Sequence, residues 1–242
     1  MLVIFTTHPI QYQVPLWRKM TEAGIELEVW FFTDFGLKTS FDVQFGESFS
    51  WDIPVLEGYK YRFLKVNEQA APNKGFWGIK LCQNLSPLFK EKNVTHVYIN
   101  GWQVAAYWQC LIQAKQSGLV TLFKGESNDL KPENKWRWPL KKLLLNKFFN
   151  KIDFFLYIGS ANKRLYKKYR IPDKKLFPGY YCVDTDRFEK SATLDRKNRA
   201  ELRQRWNIPQ DSYCILFAGK FIKKKRPIDV IKAVAKLNHS KI

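Results

Sequence analysis

An α/β fold, built on a parallel sheet with flanking helices, is predicted by three features of the chain. Short apolar runs recur at residues 2–6, 25–32, 94–99, 120–123, 154–158 and 213–218, each with the length and composition of a buried strand. Stretches whose apolar residues repeat at helical spacing lie between most of them, so strand and helix alternate as they do around a parallel sheet. Several runs end in polar, glycine-bearing turns, at Asn100-Gly101-Trp102, Lys124-Gly125-Glu126-Ser127 and Gly219-Lys220. With 45% hydrophobic and 16% aromatic residues in 242, the chain has enough apolar surface for a sizeable core.

The first strand, residues 2–6, runs into the loop Thr6-Thr7-His8-Pro9-Ile10-Gln11-Tyr12-Gln13-Val14-Pro15. A helix to about Ala23 follows, with Gly24 as its stop signal, and then the second strand. This βαβ opening has no G-x-G-x-x-G, which speaks against a dinucleotide-binding site. His8, Gln11 and Gln13 have no evident structural task in a loop at the carboxyl edge, where open α/β sheets bind ligands. They suit a binding role or simple loop polarity equally.

Residues 33–65 read as an irregular, aromatic excursion with Phe41, Phe45, Phe49, Trp51, Tyr59, Tyr61 and Phe63. Such rings can stack on sugars, although packing within the loop is the commoner outcome. A helical stretch is expected from Trp77, restarting with Ser86 as cap and Pro87 as first position. Helices are expected over residues 104–116 and from Gly159-Ser160 to Tyr169. Between them, Lys135 to Ile152 carries six basic residues and no acidic one, with Leu140, Leu144, Phe148 and Ile152 spaced by four. That stripe fits core packing combined with weak attraction to an anionic membrane surface. Residues 189–198 are polar and linker-like, and a short helix over 199–206 precedes the last strand.

Charge is unevenly spread. Residues 1–120 hold 11 Lys+Arg against 10 Asp+Glu, whereas residues 121–242 hold 30 against 12. The basic half points to an anionic partner: nucleic acid, an anionic membrane or a phosphorylated ligand. Cys82, Cys110, Cys182 and Cys214 are too widely spaced for a zinc or redox motif, and their apolar or helical settings suggest buried free thiols. No apolar run reaches the roughly 18 residues of a membrane span. The N-terminus reads as a core strand and not as a signal peptide, so a cytoplasmic location is expected.

The most informative stretch is Tyr213 to Leu237. An apolar run breaks at Gly219, a basic loop with Lys220, Lys224, Lys225 and Arg226 follows, and Pro227 opens a helix. A glycine turn feeding a helix N-terminus, ringed by lysines, suits the phosphates of a ligand.

Phe217-Ala218-Gly219-Lys220 followed by Lys224-Lys225-Arg226-Pro227 resembles the opening of the donor domain of retaining GT-B glycosyltransferases, specifically glycosyltransferase family 4. The resemblance implies a Rossmann-like acceptor domain over residues 1–190, a linker over 191–198, and the truncated start of a second Rossmann-like, nucleotide-sugar-binding domain over 199–242. It implies that Gly219, Lys220 and Lys225 hold the diphosphate of a nucleotide-sugar, with no cofactor and no metal. The family usually has arginine at the first basic position and glycine after the lysine, where this chain has Lys220 and Arg226. His-Pro-Ile-Gln-Tyr-Gln-x-Pro resembles the N-terminal loop of a bacterial subset of the family, and Lys124-Gly-Glu-Ser falls where the family places a polar residue facing the transferred sugar. His8, Gln11, Gly101, Trp102, Lys124 and Glu126 are thereby the acceptor-side residues, with Glu126 and His8 as candidate catalytic groups. Glu126 suits either a sugar hydroxyl or the cap of a helix, and His8 has no identifiable carboxylate partner for a base.

Val183-Asp-x-x-x-Phe resembles the family's exit from the acceptor domain, with Tyr181-Cys182 in place of its usual Asn-Gly. The family's pair of glutamates eight positions apart has no counterpart, because nothing acidic follows Asp229. The implied activity is sugar transfer with retention from a nucleotide diphosphate donor to a glycan or lipid-linked acceptor, in cell-envelope polysaccharide synthesis. The chain alone is expected not to perform it. Two other readings stay open: a basic nucleic-acid binder, for which no helix-turn-helix, RRM or OB pattern appears, and a non-catalytic adaptor on a membrane surface.

Overall fold

The computed structural model describes residues 1–37, 40–42, 47–49, 51–130 and 138–237. The chain divides into two compact units, one formed by Met1–Lys38 with Ser50–Val183 and the other by Thr39–Phe49 with Asp184–Ile242.

The first unit contains β1 (Leu2–Thr6), α1 (Val14–Glu22) and β2 (Leu27–Phe31). After the hairpin strands β3 (Ser40–Asp42) and β4 (Glu47–Phe49) of the second unit, it continues with β5 (Lys60–Phe63), α2 (Ser86–Glu91), β6 (His96–Ile99), α3 (Ala105–Gln116) and β7 (Val120–Lys124). It ends with α4 (Trp138–Phe149), β8 (Phe154–Tyr157), α5 (Ser160–Lys168) and β9 (Leu176–Pro178). Seven strands form one sheet in the order β5-β2-β1-β6-β7-β8-β9, every pair parallel. The predicted Rossmann-like parallel sheet with flanking helices is therefore present.

Alternation along the strands sends side chains to two cores. Val3 and Phe5 of β1, Trp30 of β2 and Val97 and Ile99 of β6 face the larger one, which α2, α3, α4 and α5 cover with Phe89, Tyr107, Leu111, Phe148 and Tyr166. Ile4, Val29 and Phe31 face the smaller one, closed by Val14 and Trp17 of α1 and by Val55 and Tyr59. Buried Glu28 of β2 is neutralised by the Arg62 guanidinium of β5, which also stacks over Trp30.

Several local expectations change. Part of the aromatic excursion is the edge strand β5, whose register pairs Phe31 with Phe63; the side chains of Phe41, Phe45 and Phe49 lie outside the described residues. Trp77 sits in a single 3-10 turn, Phe76–Gly78, and not in a helix. The chain beyond it is held extended by α3, where Gln109 hydrogen-bonds both backbone groups of Leu81 and Gln113 accepts from the Leu85 N–H. Ser86 lies inside α2, with the Asn84 carboxamide accepting from its N–H. On the basic stretch, Leu145, Phe148, Phe149 and Ile152 are buried while Leu140 and Leu144 are exposed. A spacing of four advances about 40° per step, so the predicted stripe rotates off the core, whereas alternating steps of three and four stay on it. Only Cys110 of the four free cysteines is buried; the other three lie in loops, which their apolar neighbours concealed.

The second unit contains α6 (Thr185–Lys197), α7 (Arg199–Arg205) and α8 (Pro227–Leu237). Residues expected to be linker-like belong to α6, which starts with the Asp184 carboxylate accepting from the Arg187 N–H at 3.1 Å. Residues 213–218 form no strand among the described residues. A strand needs a neighbour for its backbone groups, and here Leu216 is 83% exposed and no residue of α8 is buried. No residue of this apolar run or of α8 is buried, so the two form no core by themselves.

Candidate functional site at the carboxyl edge of the sheet

In this strand order the chain moves outward from β1 through β2 to β5, then crosses back to lay down β6 on the other side of β1. The carboxyl ends of β1 and β6 therefore flank a topological switch point, where the loops leave in opposite directions and open a crevice. Thr7-His8 follows β1, Asn100-Gly101-Trp102 follows β6, and Lys124-Gly125-Glu126 ends and follows β7. The sheet thus delivers the predicted acceptor-side positions to one edge.

His8 is largely buried, with its Nδ1 2.9 Å from the Thr7 hydroxyl and its ring edge-on to Phe35. Burial lowers its pKa to about 4, so the imidazole is neutral at physiological pH. Because the unfolded value lies near 6.5, the unfolded chain takes up the proton first on acidification. Stability associated with neutral His8 is therefore complete above pH 6.5 and lost as pH falls toward 4. Between pH 6.5 and 5 the melting temperature is expected to drop more steeply in the wild type than in His8→Gln; parallel slopes would show that His8 is not buried as described.

Gly101 adopts φ 130°, a backbone conformation that favours glycine over any residue with a Cβ. Trp102 is fixed by its Nε1 donating to the Ser127 hydroxyl at 3.1 Å and by its carbonyl accepting from Trp108 Nε1 at 2.8 Å. Lys141 lies over its ring. Gln11 is half-buried.

Lys124 is the chemically distinctive group. It is 6% exposed, and its ammonium lies 4.5 Å from the centre of the Tyr181 ring. Burial lowers its pKa, partly offset by the nearby Glu126 carboxylate. Glu126 is exposed, and one of its oxygens, Oε1, accepts from the hydroxyls of both Tyr12, at 3.3 Å, and Tyr181. Burial followed by the Glu126 charge raises Tyr12 to about 12 and Tyr181 higher, so both remain neutral donors. Beneath them is a hollow of about 20 Å³ lined by Gln13, Tyr98, Asn100, Lys124 and Tyr181. The Gln13 Oε1 is buried with no hydrogen-bond partner among the described residues.

Tyr12, Asn100 and Tyr181 were absent from the predicted site, as was Asn162. The departure of Tyr181-Cys182 from the family pattern was the available signal for Tyr181. Asn162 of α5, 2% exposed, had none: its Nδ2 donates to the carbonyls of Gly125 and Ser127 and its Oδ1 accepts from the Ile158 N–H, pinning the loop that carries Glu126.

Gly219, Lys220 and Lys225, the positions expected to hold a diphosphate, lie in the second unit. Hydrogen bonds from Ile222 N–H to the Lys220 carbonyl and from Lys225 N–H to the Ile222 carbonyl fold the basic loop into a compact turn ahead of α8. Lys225 is exposed and Lys220 half-buried. Arg226, where the family has glycine, takes φ 51°, a conformation glycine reaches freely and other residues reach at roughly 1–2 kcal/mol. Its guanidinium pairs with Asp229 in the first turn of the helix.

No protein-family profile matches this sequence, and no curated protein matches it. Among solved structures, HepE from Anabaena in complex with UDP superposes with a TM-score of 0.61 at 14% identity, covering 98% of this chain and 58% of HepE. The two share a fold. HepE in complex with UDP and glucose gives 0.57 at 12% identity, over 97% of this chain and 57% of HepE. The chain thus spans less than two thirds of the length of the HepE chains it resembles.

Among the described residues no helix is long and apolar enough to cross a membrane. No group of three His, Cys, Asp or Glu residues there converges on a common point.

Proposed function

We propose that this chain is part of a nucleotide-sugar-dependent glycosyltransferase of the GT-B, family 4 type. It would comprise the acceptor-binding domain and the beginning of the donor domain. The observation that carries this reading is the gathering of Lys124, Glu126, Gly101 and His8 at the switch point of a parallel sheet whose fold is shared with the UDP-bound HepE. The whole protein transfers a sugar from a nucleotide diphosphate to a glycan or lipid-linked hydroxyl, with retention of configuration. Lys220 and Lys225 stabilise the departing diphosphate by charge, with no metal required. The basic second half and the lysines of α4 hold the protein at the inner face of an anionic membrane.

The test is calorimetric titration of the full-length protein with UDP-glucose, the donor class suggested by the HepE complexes. Lys225→Ala removes a charge-assisted contact of about 1.5–3 kcal/mol. Affinity is expected to fall about tenfold to hundredfold. Unchanged affinity in Lys225→Ala, with the wild type binding, would remove Lys225 from the donor site. No binding of UDP-glucose or of other nucleoside diphosphate sugars by the wild type would overturn the transferase reading.

A further inference from the structure

We propose that Lys124, Glu126 and Gln13 form a subsite for an acidic, hydroxyl-bearing group, the class represented by uronic acids and sugar phosphates, and that Tyr181 covers this subsite as a displaceable lid. Its role as acceptor site rests on the transferase reading; the binding itself rests on the side chains alone.

Lys124 is buried at the sheet edge with a π-face over its ammonium and no ion pair among the described residues. A desolvated ammonium is satisfied fully by an anion and only partly by an aromatic ring. Glu126 already receives two hydroxyls on one carboxylate oxygen, from Tyr12 and Tyr181. An ionised carboxylate accepts at both oxygens, so Glu126 has the capacity to take sugar hydroxyls in place of the tyrosine ones. The unpartnered Gln13 Oε1 in the same hollow supplies one more acceptor for a hydroxyl. Cation and acceptors thus sit side by side, the cation deep and the carboxylate at the rim.

With Tyr181 in place the hollow, at about 20 Å³, holds about one water. Displacing Tyr181 is therefore the step that admits a ligand. Its ring and hydroxyl are held by Glu126, Lys124 and an edge contact with Tyr12 at 5.6 Å, and each of these partners belongs to the site or its rim. Tyr181 is 45% exposed and lies beyond β9 in a segment without helix or strand. A ligand that offers an anion to Lys124 and hydroxyls to Glu126 replaces what Tyr181 gives with stronger equivalents. A neutral sugar replaces only the hydroxyl half.

Titration of the full-length protein with glucuronate, glucose 6-phosphate and glucose, beside UDP-glucose, tests this. At least one acidic sugar is expected to bind tenfold or more tightly than glucose, and the stronger of the two tells carboxylate from phosphate. Lys124→Met keeps the packed stem and removes the charge; it is expected to abolish the preference for the acidic sugar. Tyr181→Ala, at an exposed position that does not threaten folding, is expected to raise affinity for the acidic sugar threefold or more. Equal binding of glucose and both acidic sugars, or a preference that survives Lys124→Met, overturns the subsite. Weaker acidic-sugar binding in Tyr181→Ala overturns the lid. UDP-glucose binding without an acidic preference sinks the subsite and leaves the transferase reading standing; the preference without UDP-glucose binding does the reverse.

Discussion

Phe123→Ala is expected to destabilise the first unit by about 3–5 kcal/mol, the range found for removing a buried aromatic ring. Phe123 is fully buried in β7, with ring centres of Phe148, Phe149 and Phe155 at 5.5, 5.4 and 5.8 Å and that of Tyr166 at 6.1 Å. These rings come from α4, β8 and α5, so truncation opens a cavity among three elements and not at the end of one. The melting temperature should fall by roughly 6–20 °C for a chain of this size. Phe123→Leu refills most of the volume and is expected to cost about 1–2 kcal/mol. A loss below about 1 kcal/mol for the alanine variant would show that this cluster does not close the core. The site is affected too, because the ring stands 2.8 Å from where a Cβ on Gly125 would lie and props the turn between Lys124 and Glu126.

Asn162→Leu should lower stability by about 2–5 kcal/mol, for a different physical reason. Its volume is filled, so no cavity term enters. The loss comes from three backbone groups that the carboxamide satisfies: the carbonyls of Gly125 at 3.1 Å and Ser127 at 2.6 Å, and the Ile158 N–H at 3.0 Å. Left inside without partners, such groups cost about 1–3 kcal/mol each, reduced where water reaches them. Amide exchange separates this from a general loss of packing. The Ile158 amide should exchange at least tenfold faster in the variant, beyond the change in global stability. If Ile158 keeps its wild-type protection, the carboxamide does not pin the loop. The Tyr166 hydroxyl, 3.2 Å from the Gly125 nitrogen, is then the remaining support of Glu126.

Periodicity located β1, β2, β6, β7 and β8 because each is a mainly apolar run, and strands of a buried parallel sheet carry no regular polar face to obscure them. Edge strands are less visible. β5, with Lys60, Tyr61, Arg62 and Phe63 largely exposed, borrows its conformation from pairing with β2. The same holds in reverse at 213–218, where a strand-like run has no pairing among the described residues and stays irregular.

Residue identity was sufficient for the alternation of strand and helix, the glycine turns at Gly101 and Gly125, and the polar character of the loops that end the inner strands. These depend on local sterics and on apolar pattern, both of which are written along the chain. Strand order was not legible, because it depends on which edge of β1 each later strand meets. Neither was the meeting of Lys124, Tyr12, Gln13, Glu126 and Tyr181, which are up to 169 positions apart in sequence. A lysine in a polar turn reads as solvated until the fold buries it under a ring. It is the crossing back to β6 that creates the crevice, and the return of the chain beyond β9 that places Tyr181 over it.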